Sequence, residues 1–341
     1  MGTEAMIEAL QSTNAYPEPT ASVKLVQTHI SWVFICDEFV YKLKKPVNFG
    51  FLDFSTLEKR KHYCHQEVEL NRRLAKDVYL GVVPLVFDGS TYKITPTSEL
   101  SKNEIIEYAV KMRVIPNEVL LKNRFSTGAL TEEDIDRTAK AIAEFHNNAE
   151  RSSKIDKFGA LETVKFNTDE NFQQTEQYID RSVSNEQFTA LKNWTDEFYD
   201  QHAALFLERI SAGRIKDCHG DLHMEHICLT EPITIIDCIE FNDRFRYSDT
   251  ASDLAFLLMD LEYHGGNKFA KLLYDHYLKY SGENASELGL TLKYYKVYRA
   301  YVRGKVNSFQ LNDPSISEAK KEEARKTAQK YFELAYSYIQ N

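Results

Sequence analysis

The chain has 341 residues, 43% of them hydrophobic, enough for a large core divided between two unequal units. Its 42 Lys and Arg against 51 Asp and Glu give a net charge of −9, which argues against general nucleic-acid binding. Five cysteines at 36, 64, 218, 228 and 238 form no CxxC pair, which excludes a disulfide framework or a zinc knuckle and suits a reducing, cytoplasmic setting.

The N-terminal "MGTEAMIEALQSTNAYPEPT" is too polar for a signal peptide, and Met1-Gly2 alone is no case for myristoylation. Residues 4–11 read as a short helix that "YPEPT" breaks. "SWVFI" and "FVYKLKK", split by "CDE", are rich in β-branched and aromatic residues and predict a hairpin. In its second strand Phe39, Tyr41 and Leu43 share one face, and Val40, Lys42 and Lys44 the other. Thr56 or Ser55 is placed to cap a helix through about Leu74. "GVVPLVFDGSTYKIT" predicts a hairpin turning at Asp88-Gly89, and "IIEYAVKMRVI" a strand ended by Pro116.

Beyond Pro116 the periodicity becomes helical. Thr131 with Asp134 has the spacing of an N-cap, and a polar, helix-compatible stretch runs from about 168 to 212. "ICL" and "ITIID", joined by "TEP", form the one clear hairpin of this half. "DTASDLAFLLMDLEYHG" is a helix with Asp249 or Thr250 as cap, and three more helices follow. No apolar run approaches the ~20 residues of a bilayer span. The reading is an α+β chain: an N-terminal helical extension (1–20), a small antiparallel-sheet unit (21–115) and a mainly helical unit (116–341).

The chemistry concentrates in "CHGDLHMEHICLTEPITIIDCIEFND". The hairpin should bring His226 beside Asp237, with the "HGDLHM" loop next to both, so that Asp221 and Asp237 face one cavity. A loop carboxylate and a strand-end carboxylate suit phosphoryl transfer, in which one orients an acceptor hydroxyl and the other carries a hard divalent cation. The phosphates also need a cation, and Lys42, Lys44 and Lys45 all offer one. Glu67 or Glu69 on the following helix could hold it in place.

"HGDLHMEH...IIDCIEF" resembles the catalytic segment of aminoglycoside phosphotransferase-type kinases, whose fold is related to that of protein kinases. The likeness runs from about Val26 to Gln310 and is nearest to an uncharacterised subgroup, some members of which carry a separate P-loop domain. No GxxxxGK[ST] occurs here. The resemblance implies a bilobal protein-kinase-like fold with ATP in the cleft. His219-Gly220-Asp221 would form the catalytic loop, with Asp221 the base and His219 holding the loop. Asp237 would be the main metal ligand, for Mg²⁺ or Mn²⁺, with Glu240 reaching the metal through water. His226 stands where the family usually has an asparagine for the second metal. The resemblance selects Lys42 for the phosphates and Glu67 as its partner. It also assigns Ser31 to the phosphate-covering turn, and the backbone around Met112 and Val114 to adenine.

For the acceptor, the candidates are His223, Asn242 and Arg244 near the catalytic segment, and Arg299 with Arg303, four apart on one helix face. An interior ion-pair network is the alternative for the two arginines. Asp253 should be buried against loop N–H groups. The segment after Asp237 is too short for a protein platform, which favours a small-molecule acceptor such as a sugar, amino sugar or amino alcohol. Two other readings compete: a non-catalytic nucleotide-binding protein, suggested by His226, and a metal-dependent hydrolase built on "HxDxHxxH".

Overall fold

The computed structural model describes residues 3–96, 105–314 and 316–340, so Met1-Gly2 lies outside it. The chain divides into two compact units. One comprises residues 1–124 and 226–243, the other 125–225 and 244–341. The hairpin of the second half therefore belongs with the sheet, although the sequence changes character near Pro116.

The first unit holds a six-stranded sheet of antiparallel pairs, in the order β1-β2-β3-β6-β4-β5 among the described residues. The strands are β1 (Lys24–Gln27), β2 (Ser31–Ile35), β3 (Phe39–Lys44), β4 (Tyr79–Phe87), β5 (Tyr92–Ile94) and β6 (Ile105–Arg113). The hairpins expected at 31–44 and around Asp88-Gly89 are both present. Tyr41 and Leu43 of β3 enter a core with Phe34, Leu85 and Ala109. Helix α1 (Thr3–Leu10) adds Leu10 to that cluster, and Ala15 and Tyr16 follow it, so the N-terminal segment is part of this core. Helix α2 (Leu57–Asn71) starts at Thr56, whose side chain accepts the Lys59 N–H, and packs Cys64 and Val68 against Tyr79 and Val110 on the other face. It ends three residues before Leu74, because Arg72 to Ala75 close a turn.

The same unit contains a short hairpin, β8 (Ile227–Cys228) with β9 (Thr234–Ile235). Its backbone joins the turn after α2 through Ile235 N–H to the Leu74 carbonyl, and the residues before α3 (Leu121–Ser126) through Leu229 N–H to the Val119 carbonyl.

The second unit is mainly helical: α3 (Leu121–Ser126) leads into it, followed by α4 (Glu132–Asn148), α5 (Ser153–Asp156), α6 (Leu161–Thr175), α7 (Asn185–Ser211), α8 (Asp243–Arg246), α9 (Thr250–Tyr263), α10 (Asn267–Ser281), α11 (Ala285–Phe309) and α12 (Glu318–Gln340). Thr131 and Asp134 form a reciprocal capping box at α4, and Asp249 caps α9 by accepting the Ala251 N–H. The polar stretch expected at 168–212 is two helices, α6 and α7, with α7 kinked at His202. One strand pair escaped the sequence: β7 (Ile215–Asp217) with β10 (Tyr247–Asp249), three residues each and too short for a period to register. The core gathers Phe172, Leu191, Phe256, Met259, Ala300 and Phe332. Among the described residues, no helix is long and apolar enough to cross a membrane.

Candidate active site

Strand alternation points Lys42 and Lys44 away from the Tyr41–Leu43 core and toward α2. There they meet Glu67, which is fully buried. Lys42 Nζ lies 2.9 Å from Glu67 Oε1 and 2.7 Å from Asp237 Oδ1. Lys44 Nζ lies 2.7 Å from Glu67 Oε2 and also pairs with Glu240 Oε1. The result is one chain of alternating charge, Asp237–Lys42–Glu67–Lys44–Glu240. Glu69, the other carboxylate weighed as partner, is exposed.

The electrostatics follow the burial. Desolvation pulls both lysines down, but the carboxylates outweigh it: Asp237 and Glu67 hold Lys42 well above the ordinary lysine range, and Glu240 and Glu67 raise Lys44. Burial pushes Glu67 up, and the two ammoniums more than reverse this. For Glu240 burial wins and the carboxyl is raised, despite Lys44. Three carboxylates against two ammoniums leave one negative charge in excess. The Asp237 end is the wet one, its side chain 44% exposed, while Glu67 and Glu240 are dry.

Asp237 sits at the end of the hairpin with φ 63°, in the left-handed region that an aspartate tolerates better than most residues. Its N–H donates to Tyr79 Oη (3.1 Å) and the Cys238 N–H to Asn71 Oδ1 (2.9 Å). Asn71 is anchored in turn on the Glu67 carbonyl. As the hairpin geometry predicts, His226 comes close: its Nε2 is 3.6 Å from Asp237 Oδ2, and its carbonyl accepts the Ile236 N–H. A half-exposed carboxylate carrying the excess charge, with an imidazole nitrogen beside it, is a donor set that fits a divalent cation.

Other expected residues of this unit have different partners. Glu240, expected near a metal, is 8% exposed with its Oε1 taken by Lys44, so its carboxylate serves the ion chain. Met112 is paired on both sides, with Val40 and Tyr79, and the Val114 N–H donates to the Glu38 carbonyl at 2.9 Å. An adenine bond from that N–H would have to break this one. Ser31 is buried; its N–H donates to Thr28 Oγ1, and its hydroxyl has no hydrogen-bond partner. Asn242 donates from Nδ2 to the Phe51 carbonyl, tying the segment after Asp237 to the loop before α2.

In the helical unit the His219-Gly220-Asp221 loop rests on Asp253, which is buried in the first turn of α9 and accepts the N–H groups of His219 (2.7 Å) and Gly220 (2.9 Å). Gly220 needs its φ of 86° to turn the chain there. Burial alone would raise the Asp253 carboxyl; the imidazoles of His146 and His219 and the Arg299 guanidinium outweigh it and hold it at about 2. His219 Nδ1 accepts the Asp221 N–H at 3.3 Å, so the imidazole shapes the loop. Asp221 keeps a carboxylate about one-third exposed, with His223 Nε2 3.5 Å away. Burial lowers His223, and Asp221 more than restores it, so its pKa is raised.

Arg299, considered for the acceptor, lies under this loop instead: its Nη1 donates to the Gly220 carbonyl at 3.0 Å and its Nε to Ser252 Oγ at 3.1 Å. Arg303, one turn on, has its pKa raised by Tyr331, Asp221 and Asp260 against its burial, and its Nε is buried without a hydrogen-bond partner. Arg244 pairs with Glu170 at 2.6 Å.

Sequence reasoning weighed Lys44 only as an alternative to Lys42, and missed Asn71, Tyr79 and His146. For Lys44 a signal existed, since it shares the strand face of Lys42 and so faces the same helix carboxylates. Asn71, Tyr79 and His146 carry no local pattern that points to the segments they hold.

The model of a phosphotransferase enzyme family matches residues 51–288. Uncharacterized proteins of Mycobacterium tuberculosis and Mycobacterium bovis are each 32% identical over 326 residues, covering 95% of this chain and 61% of theirs. The chain thus spans about three-fifths of the length of the curated relatives it matches. Among solved structures, the GDP complex of an aminoglycoside 2'-phosphotransferase-IIIa matches with a TM-score of 0.55 at 13% identity, over 97% of this chain and 99% of that one. A choline/ethanolamine kinase family protein from Mesorhizobium loti matches with 0.51 at 13%, over 98% of each. At such identities the structural likeness is one of fold, but the family match spans most of the chain, and on that ground the chain belongs to the phosphotransferase enzyme family.

Proposed function

We propose that the protein is an ATP-dependent phosphotransferase that moves the γ-phosphoryl group to a hydroxyl of a small molecule, a sugar, amino sugar or amino alcohol. The observation that carries this reading is Lys42, whose ammonium is held between Glu67 and the half-exposed Asp237. A lysine fixed by one carboxylate and shared with a second is positioned for a nucleotide's phosphates.

In this reading Lys42 orients the α- and β-phosphates, and Glu67 keeps it extended. Asp237, with His226, would hold Mg²⁺ or Mn²⁺, which supplies neutralisation of the phosphate charge. Asp221 orients the acceptor hydroxyl and takes its proton. Asp253 and Arg299 keep the backbone of that loop in place, and Arg303 and His223 flank it on the acceptor side. The rate then comes from positioning and from charge placed in advance. The segment from Phe241 to Ser248 contains only the four-residue α8 and part of β10, which supports a small acceptor rather than a protein. Five free, buried thiols support a cytoplasmic setting.

The test is ADP release by the purified protein with Mg²⁺ or Mn²⁺ across a panel of alcohols, sugars, amino sugars and amino alcohols. Acceptor-dependent turnover is expected, with Asp221→Asn and Lys42→Met each lowering kcat/KM by about 100-fold or more. Absence of acceptor-dependent turnover together with no Mg-ATP binding at millimolar nucleotide would defeat the proposal.

A further inference from the structure

Lys44 has no part in the scheme above, yet it is the drier of the two strand lysines, its side chain 1% exposed against 15% for Lys42. Its ammonium bridges Glu67 Oε2 and Glu240 Oε1 and lies 4.8 Å from the centre of the Phe54 ring. Glu67 therefore commits one oxygen to each lysine. The carboxylate is planar and rigid, so fixing Oε2 fixes the direction in which Oε1 meets Lys42.

We propose that Lys44 is a positioning residue for the nucleotide site: anchored on Glu240, it holds Glu67, and Glu67 in turn holds Lys42 toward the phosphates. The inference rests on the phosphotransferase reading and assigns it a second lysine.

Two features of the surroundings favour this over a passive ion pair. Glu67 and Glu240 are dry carboxylates drawn to the same ammonium, and without it they would repel at short range or one would protonate. In either case Glu67 loses one of its two anchors and holds Lys42 less firmly against the wetter Asp237, already its nearer partner at 2.7 Å. The anchor is also fixed: the turn bearing Glu240 is held at Asp237 by Tyr79 and at Cys238 by Asn71, and Asn71 is bonded to the Glu67 backbone. Outer pair Lys42–Asp237 and inner pair Lys44–Glu240 are thus carried by the same two backbone segments, with Glu67 shared between them.

The experiment must separate positioning from stability. Lys44→Met alone leaves Glu240 uncompensated and risks the fold, so the informative variant is Lys44→Met with Glu240→Gln, which removes both charges. It is expected to melt near the wild type, while its KM for Mg-ATP rises about tenfold, the weight of one charge-assisted hydrogen bond, with a smaller change in kcat. The Kd for Mg-ADP should rise in parallel. A folded double variant with wild-type KM and Kd overturns the positioning role alone. Should the double variant not fold, Glu240→Gln by itself is read: it keeps an amide oxygen for Lys44, and a KM raised about threefold is expected for this weaker anchor. An unchanged KM there overturns the proposal. A wild type that binds no Mg-ATP overturns the phosphotransferase reading, and this inference with it.

Discussion

Asp237 combines three properties seldom found together in one side chain. Its backbone is left-handed, its N–H is bound by a tyrosine hydroxyl, and its carboxylate is half in water while touching a lysine. His226 adds an imidazole 3.6 Å from Oδ2, where an amide would present a harder oxygen. Imidazole is the better ligand for Mn²⁺ than for Mg²⁺, so His226→Asn is expected to raise the ratio of Mg²⁺- to Mn²⁺-supported turnover. An unchanged ratio would show that His226 is not a metal ligand. Only the family resemblance pairs Lys42 with Glu67, since periodicity leaves Lys42, Lys44 and Lys45, and Glu67 and Glu69, equally open; the structure joins the pair at 2.9 Å. The burial of Glu240 could not be read that way, since a carboxylate three residues beyond Asp237 is equally compatible with water or with Lys44.

At the scale of elements, caps were the most legible feature and helix contacts the least. Thr131 with Asp134, Thr56 and Asp249 are local patterns, and each closes the helix start that its spacing predicts. Asp249 does more than its pattern shows, because it also accepts the Arg209 guanidinium through both oxygens, at 2.5 and 2.8 Å. The approach of α11 to α12 depends on Gly304. A Cβ there would lie 2.9 Å from three atoms of the Phe332 ring, in the middle of the core. Gly304→Ala gains about 1 kcal/mol of helix propensity but overpacks the contact by about 1–3 kcal/mol. Net destabilisation is expected, read as a lower melting temperature. A rise would show that Phe332 yields without cost.

At the scale of the whole molecule, stability in acid should report on Asp253. Its folded pKa of about 2 lies below the ordinary aspartate value, so its contribution is fully present above about pH 4 and is lost as the pH falls through about 2. The linkage is worth about 2–3 kcal/mol at neutral pH. Asp253→Asn should lower stability at pH 7 and flatten the decline between about pH 4 and 2, measured by denaturant unfolding at a series of pH values. An identical slope in the variant would show that other carboxylates govern the acid limb. The same carboxylate binds the loop N–H groups of His219 and Gly220, so the residue that sets this acid response also sets the loop bearing Asp221.

The sequence by itself determined what local periodicity and short-range chemistry can encode. That covers the sheet-then-helices order, most hairpins and caps, the lysine face of β3, the proximity of His226 to Asp237 and the burial of Asp253 against loop N–H groups. Only the tertiary structure decided which lysine is dry, where Glu240 and Arg299 spend their charges, and that residues 226–243 group with the sheet. The reason is physical. Periodicity fixes the direction of a side chain relative to its own strand or helix, but burial and ion pairing depend on what arrives opposite it from other elements, 23 residues away for Lys44 and Glu67 and 196 for Lys44 and Glu240. Several carboxylates in this chain could have met Lys44, and packing selected Glu67 and Glu240.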